Sequence, residues 1–109
     1  MSLEVEKIKD GDGITKPQSG QSVVVHYIGC FENGIRFDSS RARGRPFKFK
    51  LGQGEVIKGW DEAFVKMSKG ERIKLKCPPE YGYGSKGHPG LIPANAVLVF
   101  DIELMEVEG

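Results

Sequence analysis

The chain has 109 residues, with Lys+Arg 16 against Asp+Glu 15 and a net charge of +1. That length gives one domain with a core of its own and no room for a second, and so even a balance argues against a nucleic-acid or membrane-surface protein. No apolar run is long enough to span a bilayer, and Met1-Ser2-Leu3-Glu4-Val5-Glu6 lacks both the basic and the apolar region of a secretory leader. Cys30 and Cys77 are too few for a disulfide scaffold, so the expectation is a reduced, cytoplasmic, monomeric domain spanning 1–109.

Residues 3–8 alternate loosely and read as an opening strand, ended by the turn signal Asp10-Gly11-Asp12-Gly13. Pro17 and Gly20 punctuate a loop before 22–28, the strongest β-propensity run in the chain. Glu32-Asn33-Gly34 is a hairpin signal, because Asn-Gly tolerates positive φ, and a short strand over 36–38 should follow. Residues 39–46 are polar and basic, a loop. Residues 47–51 alternate again, with Phe47, Phe49 and Leu51 on one face.

Gly52-Gln53-Gly54 breaks that strand. The only helical spacing in the chain comes next: Trp60, Ala63, Phe64 and Met67 form an i, i+3, i+4, i+7 stripe. Asp61 and Glu62 fall in the expected first turn, Lys66 and Lys69 near the expected end, and Gly70 just past it, as dipole and stop signals suggest. Residues 71–77 alternate through Ile73, Leu75 and Cys77. Residues 78–93 form a long Gly/Pro-rich loop, and 97–107 a final strand with Leu98, Phe100, Ile102 and Leu104 on one face. The sum is an α+β domain, mostly antiparallel β with one short helix.

Bond-breaking chemistry finds little support. Gly82-Tyr83-Gly84-Ser85-Lys86-Gly87 matches a dinucleotide fingerprint formally, but His88-Pro89-Gly90-Leu91-Ile92-Pro93 cannot form the helix that motif must open. His26, His88, Cys30 and Cys77 show neither a paired base nor metal-ligand spacing. Arg41-Ala42-Arg43-Gly44-Arg45 reads as a solvated loop, or as the source of one Arg for a buried Asp38. The aromatic set is more informative. Most of it suits a core, yet Tyr83 and Leu91-Ile92 lie in a loop where core filling is not expected, so an apolar pocket with a few polar groups is predicted.

Six motifs occur together and in order: Phe37-Asp38-Ser39-Ser40, Pro46-Phe47-Lys48-Phe49, Gly54-Glu55-Val56-Ile57-Lys58-Gly59-Trp60, Tyr81-Gly82-Tyr83-Gly84, Gly87-His88-Pro89-Gly90 with Ile92-Pro93, and Val99-Phe100-Asp101. With them the chain resembles the FKBP-type peptidyl-prolyl cis/trans isomerases in their minimal single-domain form. The resemblance runs from about Val5 to Leu104. It implies an antiparallel sheet wrapped around one short helix. It also implies a pocket walled by Tyr27, Phe37, Phe47, Val56, Ile57, Tyr83 and Phe100, with Trp60 as its floor.

By the same resemblance, polar contacts come from Asp38, the Ile57 N–H, the Tyr83 hydroxyl and the Glu55 carbonyl. Arg43 steadies Asp38, and His88, Leu91 and Ile92 flank the entrance. Asp38, Tyr83, Ile57, Phe37, Trp60 and Phe100 are the residues expected to carry catalysis. No metal or cofactor is implied. The implied partners are proline-containing polypeptides and the immunosuppressant macrolides tacrolimus and rapamycin, with calcineurin or the rapamycin-target kinase reached through the drug complex. A second reading makes the domain a regulatory binding module whose isomerase activity is incidental. Leu91, where the family more often has Ile, and the rim residues Ala42, Arg43, Gly44 and Lys86 bear on partner choice.

Overall fold

Alternation of apolar and polar residues builds six strands, which assemble into one antiparallel sheet. A computed structural model describes residues 2–109; Met1, where the expected domain begins, lies outside the described residues. In chain order the elements are β1 (Glu4–Lys9), β2 (Ser22–Phe31), β3 (Arg36–Ser39), β4 (Phe47–Lys50), α1 (Lys58–Phe64), β5 (Arg72–Cys77) and β6 (Leu98–Glu108). Their spatial order is β1-β5-β6-β2-β3. Strand β4 shares the β3 edge of β2: it pairs with Ser22 to Val25, while β3 pairs with Ile28 to Cys30.

The sheet turns one face inward. Val23, Val25 and Tyr27 of β2, Ile73, Leu75 and Cys77 of β5, and Leu98, Phe100, Ile102 and Leu104 of β6 are all buried, as their period of two requires. Burying each large apolar side chain is worth about 1.5–3 kcal/mol, so this face carries the fold. Burial also pushes the Cys77 thiol up to about 12, with the Glu62 charge adding to the shift, which leaves it inert at neutral pH. The opposite face is charged, and Arg72 grips Asp101 there with two hydrogen bonds of 2.8 Å.

One irregularity keeps the last strand in phase. Between the pairs Val24–Glu106 and Val25–Leu104 the register shifts, leaving Met105 as an extra, exposed residue. Strict alternation would turn Glu106 inward; the bulge instead brings Val107 onto the core, opposite Val23.

The hairpin after β2 also differs in detail from the sequence expectation. Only Gly34 takes positive φ, at 90°, while the Asn33 side chain accepts the Ile35 N–H at 2.9 Å. That combination is a type I turn followed by a left-handed glycine, not an Asn-Gly pair with both residues inverted.

The helical stripe is buried as its spacing predicts, with Trp60, Ala63, Phe64 and Met67 all inside. The helix is shorter than expected, however. It stops at Phe64, and Lys66, Lys69 and Gly70 are not its end signals, since no basic residue lies in its last turn. The chain past Phe64 tightens into i−3 bonds, Lys66 N–H to the Ala63 carbonyl at 3.1 Å and Met67 N–H to the Phe64 carbonyl at 3.2 Å. Beyond them Ser68 N–H donates to the Glu71 carboxylate at 3.1 Å and Lys69 N–H to the Thr15 carbonyl at 2.8 Å. Lys69 itself pairs with Glu106 at 2.9 Å. Asp61 does more than face the dipole. Its carboxylate accepts the Gly52 N–H at 2.9 Å and the Gly54 N–H at 3.4 Å, tying the loop after β4 to the start of α1. The loop over 78–93 is not wholly irregular either: Pro79–Tyr81 form a 3-10 turn, and His88 bridges to Ile92.

Candidate active site

Where β2, β3, β4 and β6 meet the start of α1, the inner face opens into a cavity of about 170 Å³. Each strand contributes one ring: Tyr27 from β2, Phe37 from β3, Phe47 from β4 and Phe100 from β6. Trp60 closes the bottom at 5% exposure. Its indole stands nearly edge-on to Tyr27 (centroids 4.9 Å, 70°), Phe100 (5.4 Å, 81°) and Phe47 (6.3 Å, 71°). Edge-to-face packing sets the positive rim of one ring on the negative face of the next and fixes the cage geometrically. Val56 and Ile57 form the wall just ahead of α1, and Tyr83 and Leu91 overhang from the long loop.

The polar side is a closed triad. Tyr27 donates its hydroxyl proton to Asp38 Oδ2 at 2.6 Å, Arg43 Nη2 donates to the Tyr27 oxygen at 2.8 Å, and Arg43 Nη1 pairs with Asp38 Oδ1. The Ser39 N–H adds a further donor to Asp38 Oδ1 at 2.9 Å. Burial opposes the Asp38 charge, but the bonds from Tyr27 and Arg43, with the guanidinium charge, outweigh it and hold the carboxyl below its ordinary value. Burial, and then the bond to Asp38, push the Tyr27 phenol up. Asp38 is partly exposed rather than buried, which departs from the buried carboxylate expected from sequence.

Three hydrogen-bond donors at the cavity remain unspent. Ile57 is the N-cap of α1, with φ −61° and ψ 152°, and its N–H is one of the groups a helix leaves free at its start. The Tyr83 hydroxyl makes no hydrogen bond to another described residue; burial and then the Asp38 charge raise its pKa. The Trp60 indole N–H differs, being buried with no hydrogen-bond partner among aromatic faces.

Eleven of the sequence-predicted residues line the cavity together, including Asp38 and Glu55. Three do not. Arg43 stands behind Asp38 as its clamp, His88 packs its ring on Tyr83 at 5.5 Å, and Ile92 is buried beneath the loop at 4% exposure. One contributor escaped the sequence reading altogether. Gly29 of β2 leaves the space into which Phe37 and Phe100 close, and the signal that could have found it is an isolated glycine inside a β-run. A larger depression of about 730 Å³ lies on the outer sheet face among Glu4, Glu6, Lys74 and Lys76, with Phe31 its only ring. It cannot enclose an apolar ring as the aromatic cavity does.

Among the described residues that line the aromatic cavity, the ionisable side chains are Tyr27, Asp38, Glu55 and Tyr83, and the rest of the lining is apolar. An apolar cage with a few donors, set in a sheet around one short helix, is suited to holding an apolar group. The chain belongs to the FKBP-type peptidyl-prolyl cis-trans isomerase family, whose model matches residues 13–105, and it is an enzyme of that kind. It is 56% identical over 108 residues to the peptidyl-prolyl cis-trans isomerase Fkbp12 of Drosophila melanogaster, covering 99% of this chain and 100% of that protein. The same identity and coverage relate it to the peptidyl-prolyl cis-trans isomerase FKBP1A of Xenopus laevis.

Proposed function

We propose that the aromatic cavity is where an X-Pro bond of a polypeptide substrate rotates, the proline ring resting on Trp60. The observation that carries this reading is the convergence of five rings on about 170 Å³ beside the free Ile57 N–H and Tyr83 hydroxyl. The barrier to rotation, about 18–20 kcal/mol, is the resonance lost as the amide twists. A planar amide is more polar than a twisted one, so replacing its water with ring surface destabilises the start more than the transition state. Ile57 N–H and Tyr83 O–H hold carbonyls on either side of the bond, and rotation is confined to one torsion. Each ~1.4 kcal/mol of preference for the twisted form gives tenfold in rate.

Asp38 serves as a fixed charge that positions Tyr27. Both of its oxygens are occupied by donors, so it does not shuttle protons. The same cage takes one ring-sized part of tacrolimus or rapamycin, the rest of the macrolide lying outside its volume of about 170 Å³. The exposed Arg41, Arg45, Lys86 and Pro89 form the rim read by an effector of the drug complex, calcineurin or the rapamycin-target kinase. We place the enzyme in the cytoplasm, in keeping with its two free cysteines. No helix among the described residues is long and apolar enough to cross a membrane.

The deciding experiment is the cis-to-trans conversion of a Leu-Pro test peptide, with and without rapamycin. Expected are acceleration by the protein, its loss at saturating drug, and a parallel quench of the single tryptophan's emission. A protein that turns the peptide over while drug leaves both signals unchanged would place turnover outside this cavity.

A pH series tests the triad separately. The folded-state pKa of Asp38 is lowered, so the triad's stabilisation is complete above the unfolded carboxylate value of about 3.9 and fades as pH falls through the lower folded value. The stability gap between the parent protein and Asp38→Asn should therefore be constant above about pH 5 and shrink below about pH 4 in urea titrations. A gap independent of pH across that range would remove the ionised triad.

A further inference from the structure

The cavity's volume of about 170 Å³ falls well short of the ~300–1,000 Å³ of pockets that enclose drug-sized ligands. If it takes the X-Pro pair, as proposed above, the rest of a polypeptide must run out across the surface. One exit is built. Leu91, which overhangs the cavity, also lines an adjoining open groove of about 590 Å³, whose other apolar residues include Phe31, Pro93 and Val97. Cavity and groove share a wall, since Phe31 packs on the cavity ring Phe37 with centroids 5.0 Å apart and planes 37° apart. Glu32, held by Lys76 at 3.2 Å, and Asn33 give the groove a polar edge on the β2–β3 hairpin.

We propose that this groove binds the extended segment of substrate next to the X-Pro pair and selects an aliphatic or aromatic side chain there. Leu91 at 46% exposure is otherwise an uncovered apolar residue at the seam between the two, and a substrate chain leaving the cavity past it covers it. An acidic side chain in the same place is disfavoured by desolvation against Phe31 and Val97. The groove makes the enzyme sensitive to sequence beyond the two residues whose bond it turns.

The test compares a four-residue Leu-Pro peptide with longer ones carrying either Leu or Asp in extensions before and after the pair, read by exchange NMR. Expected is a several-fold rise in kcat/KM with the Leu extension on one side and none with Asp. Two variants, exposed Pro93→Glu and partly buried Val97→Glu, should erase that rise while leaving the four-residue peptide unaffected. Amide shifts at Asn33 and Val97 should respond to the long peptide only. An extension advantage that persists in both variants, or long peptides turned over no faster than the short one, overturns the groove while the cavity stands. If the parent protein fails on the short peptide, the cavity reading falls, and this inference with it.

Discussion

Replacing Trp60 with Ala should cost about 3–5 kcal/mol of stability and at least tenfold in kcat/KM, because one side chain serves both core and cavity. On its buried side the indole meets Phe49 (6.0 Å) and Phe64 (5.7 Å). On the other it meets the cavity rings Tyr27 and Phe100. Truncation leaves a void that no neighbour can fill, since every strand facing it is pinned by its ladder. Unfolding should be followed by circular dichroism, because the variant has lost the only tryptophan. Should the alanine variant not fold, Trp60→Phe keeps an aromatic floor, lowers it, and still separates the two roles. A folded variant with parental kcat/KM would show that the proline ring does not rest on this residue.

That double role was only half legible in the sequence. Spacing marked Trp60, Ala63, Phe64 and Met67 as one inward stripe, and all four are buried. Periodicity reports which way a residue points, and not whether a neighbour covers it, so it could not tell core from cavity floor. That distinction depended on Tyr83 and Leu91, apolar residues in a Gly/Pro-rich loop, and on the family motifs. The strands were read well because alternation is a local property of β2, β5 and β6. Length was read less well. Past Phe64 the amides of Lys66 and Met67 turn to i−3 carbonyls, and those of Ser68 and Lys69 go to Glu71 and Thr15, partners that the spacing of the stripe does not report. The Met105 bulge escaped for the same reason, since a register shift belongs to the pair β2–β6 and not to either strand alone.

Gly29 offers the second large effect, and it tests the cavity without touching any ring. It sits mid-strand in β2 opposite Phe100. A Cβ there would lie 2.7 Å from Phe37 Cζ and 3.0 Å from Phe100 Cε1, closer than carbon atoms pack. Gly29→Ala must therefore displace two of the cavity's walls. Overpacking of this kind costs about 1–3 kcal/mol in stability. The effect on turnover should exceed what that loss alone brings. Phe37 leans on Phe100 at 5.8 Å, so moving one tilts the other into or away from the substrate, and a misplacement of about 1 Å can cost on the order of 100-fold in rate. Ile73→Val is the matched control: it removes about 0.5–1.5 kcal/mol from a buried β5 position away from the cavity, and its kcat/KM should stay at the parental value. Equal losses of activity in the two variants would mean that turnover tracks global stability. A selective loss in Gly29→Ala would mean that the spacing of Phe37 and Phe100, held open by a missing side chain, sets the rate.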